Sequence, residues 1–165
     1  MVSKSFKKKS FQIFALKNVN FNLEEGETVG LLGPNGAGKS TLFNLLSTFH
    51  TPSHGEIRSY GEKITPFSKI FKSTGLCPQD DILWSTFTVQ QHIDIYQKLY
   101  QIPPSVSQQW LVAFELNYFK NNIPHELSTG MKRKLAFILA CFSNPKNKFL
   151  DEPTSGVDPM TRKLF

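Results

Sequence analysis

The run GPNGAGKST at positions 33–41 has the composition of a phosphate site. Glycines leave the backbone uncovered, so that successive N–H groups can turn inward around an anion. The run satisfies the pattern G-x-x-x-x-G-K-[ST], in which the lysine reaches phosphate oxygens and the hydroxyl holds Mg²⁺. The alternative is an ordinary glycine-rich turn. We predict that the loop binds the phosphate chain of a nucleotide.

The residues predicted to bind this chain form one continuous segment. They are Gly33, Pro34, Asn35, Gly36, Ala37, Gly38, Lys39, Ser40 and Thr41. Lys39 is also predicted to act in catalysis through the β- and γ-phosphate oxygens, and Ser40 to hold Mg²⁺.

An acidic pair, Asp151 and Glu152, directly follows the apolar residues Phe149 and Leu150. Such a run is weak evidence alone and strong evidence when it follows a phosphate loop in this chain order. Asp151 is predicted to bind Mg²⁺ through water, and Glu152 to polarise the attacking water.

The elements that must position these residues alternate between strands and helices. Residues 27–32 predict a buried strand directly before the glycine loop, and Lys39–Leu46 has the composition of a helix directly after it. The segment 15–23, in which apolar and polar residues alternate from Val19 onward, predicts a half-exposed strand before a turn at Glu25-Gly26. This order predicts an α/β domain.

Further elements are predicted downstream. Thr88 and Gln91 form a capping-box pattern, which predicts a helix that starts near residue 88 and stops before Pro103. The others are a strand at 55–61, a strand around 76–78, a helix at 106–119, a helix after Ser128 that ends before Pro145, and a short strand at 149–150. The block 81–124 is nearly all helical and is interpreted as an inserted subdomain.

Composition limits the class of protein. The chain has 165 residues, of which 39% are hydrophobic and 13% aromatic, and this predicts one domain with a hydrophobic core. Its longest apolar run, residues 135–142, is far shorter than the roughly 20 residues that cross a bilayer. Cys77 and Cys141 lack metal-ligand spacing and are predicted to be packed thiols in a reducing compartment.

The formal net charge is +6, and basic residues cluster at positions 4–9 and 132–134. A polyanion, an acidic membrane surface and a phosphorylated ligand are all compatible with this charge. The simpler interpretation, which we favour, is that each cluster is a solvated face.

Four segments, taken in chain order, resemble the nucleotide-binding domain of an ATP-binding cassette transporter. They are GPNGAGKST at 33–41, CPQDD at 77–81, LSTGMKRKL at 127–135 and LDEPTSGVDP at 150–159. The stretches GLCPQDDILWSTFTVQQHIDIY and LSTGMKRKL resemble the A subfamily, the eukaryotic lipid exporters. The resemblance covers essentially all 165 residues. It implies a single P-loop NTPase-type α/β domain with an antiparallel β edge, a core at about 1–80 and 125–165, and a helical subdomain at about 81–124.

The resemblance assigns further residues to the site. It implies that Gln79 contacts the γ-phosphate and the metal, acts in catalysis and couples the site to a membrane domain. Ser128, Thr129 and Gly130 correspond to the signature motif, whose helix N-terminus faces the ATP held by a second cassette. Thr129 stands where the family usually has glycine, so it adds a Cβ at that contact.

Two more assignments follow from the same resemblance. Asp158 corresponds to the aspartate of the D-loop, which links the two sites of a cassette dimer. Phe6 is the candidate for stacking on adenine, although Phe11 and Phe14 lie nearby in sequence and a core role is the alternative.

The resemblance also implies cofactors and partners. The cofactors are ATP and Mg²⁺, and the partners are a second nucleotide-binding domain and the transmembrane domains of a transporter, through which a lipid substrate would be moved. The cassette would lie on the cytoplasmic face of a eukaryotic membrane, with no direct nucleic-acid partner. The alternatives are a soluble cassette ATPase that acts on nucleic acid or ribosomes, and an inactive cassette fragment.

Members of this family carry a switch histidine well beyond the D-loop. All four histidines here, His50, His54, His92 and His125, precede Asp151, and each is interpreted as a surface or helix-packing residue. We therefore expect the chain to be a cassette that is incomplete at its C-terminus.

Overall fold

The structure, a computed structural model, describes residues 1–8, 11–66, 68, 73–80 and 82–164. Contacts divide the chain into two compact units, Met1–Ile70 and Phe71–Phe165. Lys9 of the first basic cluster and Asp81, where the predicted helical block begins, lie outside the described residues. Among the described residues, every helix is too short or too polar to traverse a lipid bilayer.

The described residues of the first unit form an antiparallel hairpin, one helix and a pair of short strands. Its elements are β1 (Val2–Lys8), β2 (Phe11–Val19), α1 (Lys39–Leu46), β3 (Arg58–Ser59) and β4 (Glu62–Lys63). β1 pairs with β2, and the short strands β3 and β4 form a second antiparallel pair. Apolar side chains from the hairpin and α1 share a small core of Val2, Leu16, Leu42 and Leu45. The predicted antiparallel strands are therefore present, as separate two-stranded sheets.

Residues 27–32 form no strand, so the prediction of a buried strand before the glycine loop is wrong. Val29, Leu31 and Leu32 are 59%, 52% and 93% exposed. A central parallel strand needs partners along both edges and layers on both faces. None of the three two-stranded sheets in the described residues includes this segment. The apolar composition of residues 27–32 therefore favours burial, but no sheet in the described residues buries this segment.

The second unit contains a parallel strand pair and most of the helices. Its elements are β5 (Thr74–Cys77), α2 (Val89–Tyr100), α3 (Pro104–Ala113), 3₁₀ turns at Asn117–Phe119 and Pro124–Glu126, α4 (Thr129–Cys141), β6 (Asn147–Leu150) and a 3₁₀ turn at Thr161–Leu164. β5 and β6 pair in parallel register from Thr74↔Asn147 to Cys77↔Leu150. The segments that follow β5 and β6 therefore begin side by side, which is where α/β folds usually bind ligands.

Helix α4 lies at the centre of the second core. It packs against β5, β6 and α2, and residues 133–141 are all buried. Burial of so many consecutive residues means that other elements surround this part of the helix. Cys77 and Cys141 are both buried in this core, which confirms the prediction that they are packed thiols. Burial raises the pKa of the Cys141 thiol.

Helix boundaries follow local sequence signals closely. α1 matches its prediction, and the predicted capping box of α2 is confirmed: the Thr88 hydroxyl accepts the Gln91 N–H at 3.2 Å, and the Gln91 side chain accepts the Thr88 N–H at 2.8 Å. α3 ends at Ala113, short of the predicted residue 119, and a separate 3₁₀ turn follows it.

Strand boundaries depend on partners. β2 covers residues 15–19 of the strand predicted at 15–23 and ends at Val19, so the prediction is wrong for residues 20–23. The reason is that Val19 pairs with Val2, the first residue of β1, and no β1 residue remains to pair with the chain beyond it. Similarly, of the strand predicted at 55–61, only Arg58–Ser59 pairs, with Glu62–Lys63.

His92 is a buried helix-packing residue, which predicts a pH-dependent stability. Its Nδ1 lies 2.8 Å from the Thr88 carbonyl, and its Nε2 accepts the Trp84 N–H at 2.9 Å, so the neutral ring satisfies both contacts. Burial lowers the pKa of His92 below 6.5, although the Thr88 carbonyl opposes this effect. The unfolded chain then binds the proton more readily, so stability present above pH 6.5 is lost as the pH falls below it.

We expect the free energy of unfolding, measured by urea titration, to decrease by up to ~1.4 kcal/mol per pH unit below the unfolded pKa. A His92→Gln variant should be less stable at pH 8 but show a flatter dependence on pH. The exposed His125, changed to glutamine, is the control and should keep the wild-type slope. Identical slopes for wild type and His92→Gln would contradict the assignment.

Candidate nucleotide-binding site

The glycine loop adopts a conformation that requires its glycines. The Ala37 N–H donates to the Pro34 carbonyl at 3.2 Å, and Gly36 and Gly38 have φ angles of +81° and +95°. Gly38 also lies against β2, where a Cβ would be 2.7 Å from the Ala15 carbonyl oxygen. Since only glycine combines a positive φ with so close an approach, the loop cannot form with a larger residue at position 38.

The loop leads directly into the N-terminus of α1. The N-cap residue Gly38 makes no side-chain capping hydrogen bond, and the first turn holds no acidic residue. The Leu42 N–H donates to the Gly38 carbonyl at 2.9 Å, so the N–H groups of Lys39, Ser40 and Thr41 precede the first helical bond. These groups carry partial positive charge and suit a phosphate.

The Lys39 ammonium lies across this loop. Its Nζ donates to the carbonyls of Gly33 at 2.7 Å and Pro34 at 3.0 Å. Both bonds join the cation to neutral acceptors, whereas phosphate oxygens would offer charged ones and stronger bonds. These two bonds therefore hold the Lys39 ammonium close to the N-terminus of α1, where both would bind phosphate.

Asp151 and Glu152 lie where β6 ends. The Asp151 N–H extends the parallel ladder by donating to the Cys77 carbonyl at 2.8 Å. Asp151 is partly buried and Glu152 is exposed. Glu152 has a φ of +46°, in the left-handed region that residues with side chains rarely adopt. Such a conformation persists where surrounding contacts hold it, and it often marks a functional residue.

Gln79 follows β5 much as the acidic pair follows β6. It is exposed, and its backbone carbonyl accepts a hydrogen bond from Arg133 Nη1 at 3.2 Å. The Glu152 carbonyl accepts from Nε of the same arginine at 3.1 Å. The structure thus places Gln79 and Glu152 at the same end of the β5–β6 pair.

The signature residues form the exposed start of α4. The Ser128 hydroxyl caps this helix by accepting the Met131 N–H at 3.2 Å, and both Ser128 and Thr129 are exposed. A Cβ on Gly130 would lie 2.5 Å from the Gly156 carbonyl oxygen, so this position has room only for glycine. The start of α4 therefore packs directly against the segment that follows the acidic pair.

Asp158 contacts one residue of the segment that follows the acidic pair and one residue of α4. Its carboxylate accepts the Thr161 N–H at 2.9 Å and lies 3.3 Å from the Lys134 ammonium. The Thr161 hydrogen bonds, and after them Lys134, hold the pKa of Asp158 at about 2. Lys134 also lies 3.4 Å from Glu115, beyond the end of α3, so one buried lysine joins two carboxylates.

Phe6 lies on β1 and is 40% exposed. Its ring meets the His50 ring edge to face at a centroid distance of 5.5 Å, and the Lys4 ammonium lies 5.1 Å from its centroid. Phe11 and Phe14 are 75% and 49% exposed, so all three of these neighbouring phenylalanines reach solvent.

The second basic cluster is not a solvated face, so that interpretation is wrong for two of its three members. Arg133 is 3% exposed and Lys134 is 6% exposed. Their partners are carbonyls and carboxylates of the same unit, which remove both cations from any polyanion surface. The sequence held a signal for this outcome: the apolar run that follows them predicts a helix buried on every side.

A glycine loop opening a helix, together with an acidic pair at the end of a parallel strand, defines the class of phosphate-loop nucleotide-binding domains. Comparison with known proteins gives the family. The ABC transporter family matches residues 16–155. The cholesterol transporter ABCA5 of Mus musculus is 37% identical over 170 residues, which cover 99% of this chain and 10% of that protein. ABC transporter A family member 8 of Dictyostelium discoideum is 36% identical over 171 residues, which cover 98% of this chain and 20% of that protein.

Solved structures agree on the fold. A dimeric bacterial ABC transporter cassette superposes with a TM-score of 0.86 at 28% identity, covering 98% of this chain and 76% of that one. A dimeric post-hydrolysis cassette bound to ADP and Pi gives a TM-score of 0.85 at 29% identity, with the same coverage. The fold is therefore the P-loop NTPase fold of ABC cassettes.

The chain belongs to the ABC transporter family, as a nucleotide-binding domain of the A type. Cassette domains of this family are ATPases. The chain spans about a tenth of the length of the ABCA5 relative.

Proposed function

We propose that the chain binds Mg·ATP at residues 33–41 and hydrolyses it as one cassette domain of a membrane transporter. The observation that carries this proposal is the Lys39 ammonium, which lies 2.7 Å from the Gly33 carbonyl across a glycine loop that opens α1. Backbone N–H groups, a helix N-terminus and a lysine together match the charge and shape of a triphosphate.

Three residues are proposed to act on the reaction. Lys39 stabilises the charge on the β- and γ-phosphates, Glu152 polarises the attacking water, and Gln79 orients the water and the metal. Glu152 and Gln79 share the hydrogen-bonding partner Arg133, which supports their joint action.

Ser40, Gln79 and Asp151 are proposed to hold Mg²⁺. Their hydroxyl, amide and carboxylate oxygens are hard donors, which this ion prefers. Mg²⁺ is usually bound by one or two carboxylates with phosphates and water, so this small donor set fits it. Within the described part of the chain, no group of three or more His, Cys, Asp or Glu residues could form a separate metal cage. When bound, the ion neutralises charge on the phosphates.

A second cassette is the proposed partner. Ser128, Thr129 and Gly130 form a helix N-terminus at which Ser128 and Thr129 are exposed, and this suits the γ-phosphate of an ATP held by another cassette. The two solved relatives described above are dimers.

Phe6 is proposed to stack on adenine with the face of its ring that is turned away from Lys4.

The composite site predicts that ATP hydrolysis depends on protein concentration. The rate per mole of chain should rise with concentration and reach a plateau when cassettes pair. Ser128→Ala should lower the plateau rate about tenfold, because one hydrogen bond to a charged phosphate is lost. Steady-state phosphate release, measured over a range of chain concentrations, checks both points.

Thr88→Ala is the matched control. Thr88 caps α2 with a hydroxyl at the same 3.2 Å distance as Ser128 on α4, so both variants should lose about 1 kcal/mol of folding stability. Only the Ser128 variant should lose plateau activity. A rate per mole that is independent of concentration and of Ser128 would refute the composite site.

The energy of hydrolysis is proposed to drive transport of lipids through transmembrane domains, with the cassette on the cytoplasmic face of a eukaryotic membrane. Support comes from the A-type relatives, one of which is a cholesterol transporter. The burial of Arg133 and Lys134 disfavours the alternative of a nucleic-acid-binding cassette, because it reduces the basic surface available to phosphates.

A further inference from the structure

Arg133 makes contacts that its sequence context does not suggest. It lies in the second turn of α4, it is 3% exposed, and its guanidinium donates to four backbone carbonyls. Two belong to the segment after β5 and two to the segment after β6: Pro78, Gln79, Asp151 and Glu152. The contacts to Gln79 and Glu152 measure 3.2 Å and 3.1 Å.

These carbonyls lie beyond the point where the two strands cease to pair. The last link of the ladder is the Asp151 N–H to the Cys77 carbonyl, at 2.8 Å. Pro78 has no N–H with which to continue the ladder. Carbonyls beyond the ladder have no backbone donor from the neighbouring strand, and the planar guanidinium offers five N–H groups in a fixed fork. Arg133 therefore links the two strand ends where backbone pairing stops.

The charge of Arg133 is balanced in an unusual way. In the described residues no carboxylate forms an ion pair with it, and carbonyl dipoles alone surround the guanidinium. A buried cation is costly without a partner of opposite charge. Its contacts also include the carbonyl of Glu152, whose φ of +46° needs support from its surroundings.

We propose that Arg133 is a positioning residue for ATP hydrolysis: it fixes Gln79 and Glu152 relative to each other through their backbone carbonyls. The proposal rests on the proposed function of those two residues. Arg133 itself does not contact the nucleotide, so it affects the rate of the chemical step and leaves ATP affinity unchanged.

Arg133→Lys is the decisive variant, because it keeps the charge and loses the fork. At a chain concentration on the activity plateau, kcat should fall about 10- to 100-fold, as expected when catalytic groups are misplaced by about 1 Å. KM and the Kd for Mg·ATP should stay within about twofold of wild type. The kcat of Arg133→Gln, which retains two amide N–H donors, should fall at least as far as the kcat of Arg133→Lys. Lys132→Gln, which removes the neighbouring charge, is the matched control and should keep wild-type kcat and Kd.

Unchanged kcat in Arg133→Lys would overturn the proposal, and so would a Kd for Mg·ATP that weakens in parallel with kcat. If neither arginine variant folds, as judged by thermal unfolding, Arg133 is a scaffold residue and the proposal is likewise overturned. Failure of the proposed function looks different: wild type itself would show no hydrolysis, or Glu152→Gln would hydrolyse as fast as wild type.

Discussion

Replacing Lys39 with alanine is expected to abolish measurable binding of Mg·ATP. The substitution removes the ammonium that lies across the glycine loop and would pair with two phosphate oxygens. Charge-assisted bonds of this kind contribute about 1.5–3 kcal/mol each, so affinity should fall at least ~100-fold. Isothermal titration with Mg·ATP measures the loss directly.

Lys17→Ala is the control for overall charge. Lys17 lies exposed on β2 of the same unit, and its removal changes the net charge by the same amount. It should leave the titration within about twofold of wild type. Equal heats for wild type and Lys39→Ala would show that the loop does not hold the phosphates.

Replacing Glu152 with glutamine is expected to stop hydrolysis and spare binding. Glutamine keeps the size of the side chain and cannot take a proton from water. Loss of a general base lowers rates by about 10²- to 10⁴-fold. The Kd for Mg·ATP should change by less than about twofold, since the carboxylate is not proposed to hold the nucleotide. Single-turnover hydrolysis and equilibrium titration, run on the same preparation, separate the two effects.

Glu62→Gln is the matched control, because Glu62 is an exposed carboxylate on β4 in the other unit. Its hydrolysis rate should equal that of wild type. If Glu152→Gln retained full activity, the base would have to be sought elsewhere in the chain or in its partner.

Much of the local structure could be predicted from the sequence because its causes are local. The glycine loop requires its φ angles wherever it occurs, and the Thr88 capping box acts within one turn of helix. The parallel strand β6 also ends where the acidic pair predicts, although it begins with the polar residues Asn147 and Lys148. These two residues join the strand because they pair with β5, whereas a prediction based on apolar residues alone leaves them out of it.

The errors arose where structure depends on distant partners. Residues 27–32 are apolar enough for a central strand, but a strand also needs neighbouring strands, and these belong to other parts of a chain. Arg133 and Lys134 were interpreted from their charge, whereas their burial follows from the helix on which they lie. The proposed catalytic residues could be identified by motif, but the arginine that links them could be found only from the geometry of the strand ends.

The most direct test is hydrogen exchange of the backbone amides at residues 36–41 with and without Mg·ATP. At a nucleotide concentration of about 100 times the Kd, exchange in this peptide should slow by up to ~100-fold in the wild type. It should not slow in Lys39→Ala. Unchanged exchange at 36–41, in a chain that titration shows to be saturated with nucleotide, would mean that the triphosphate binds elsewhere.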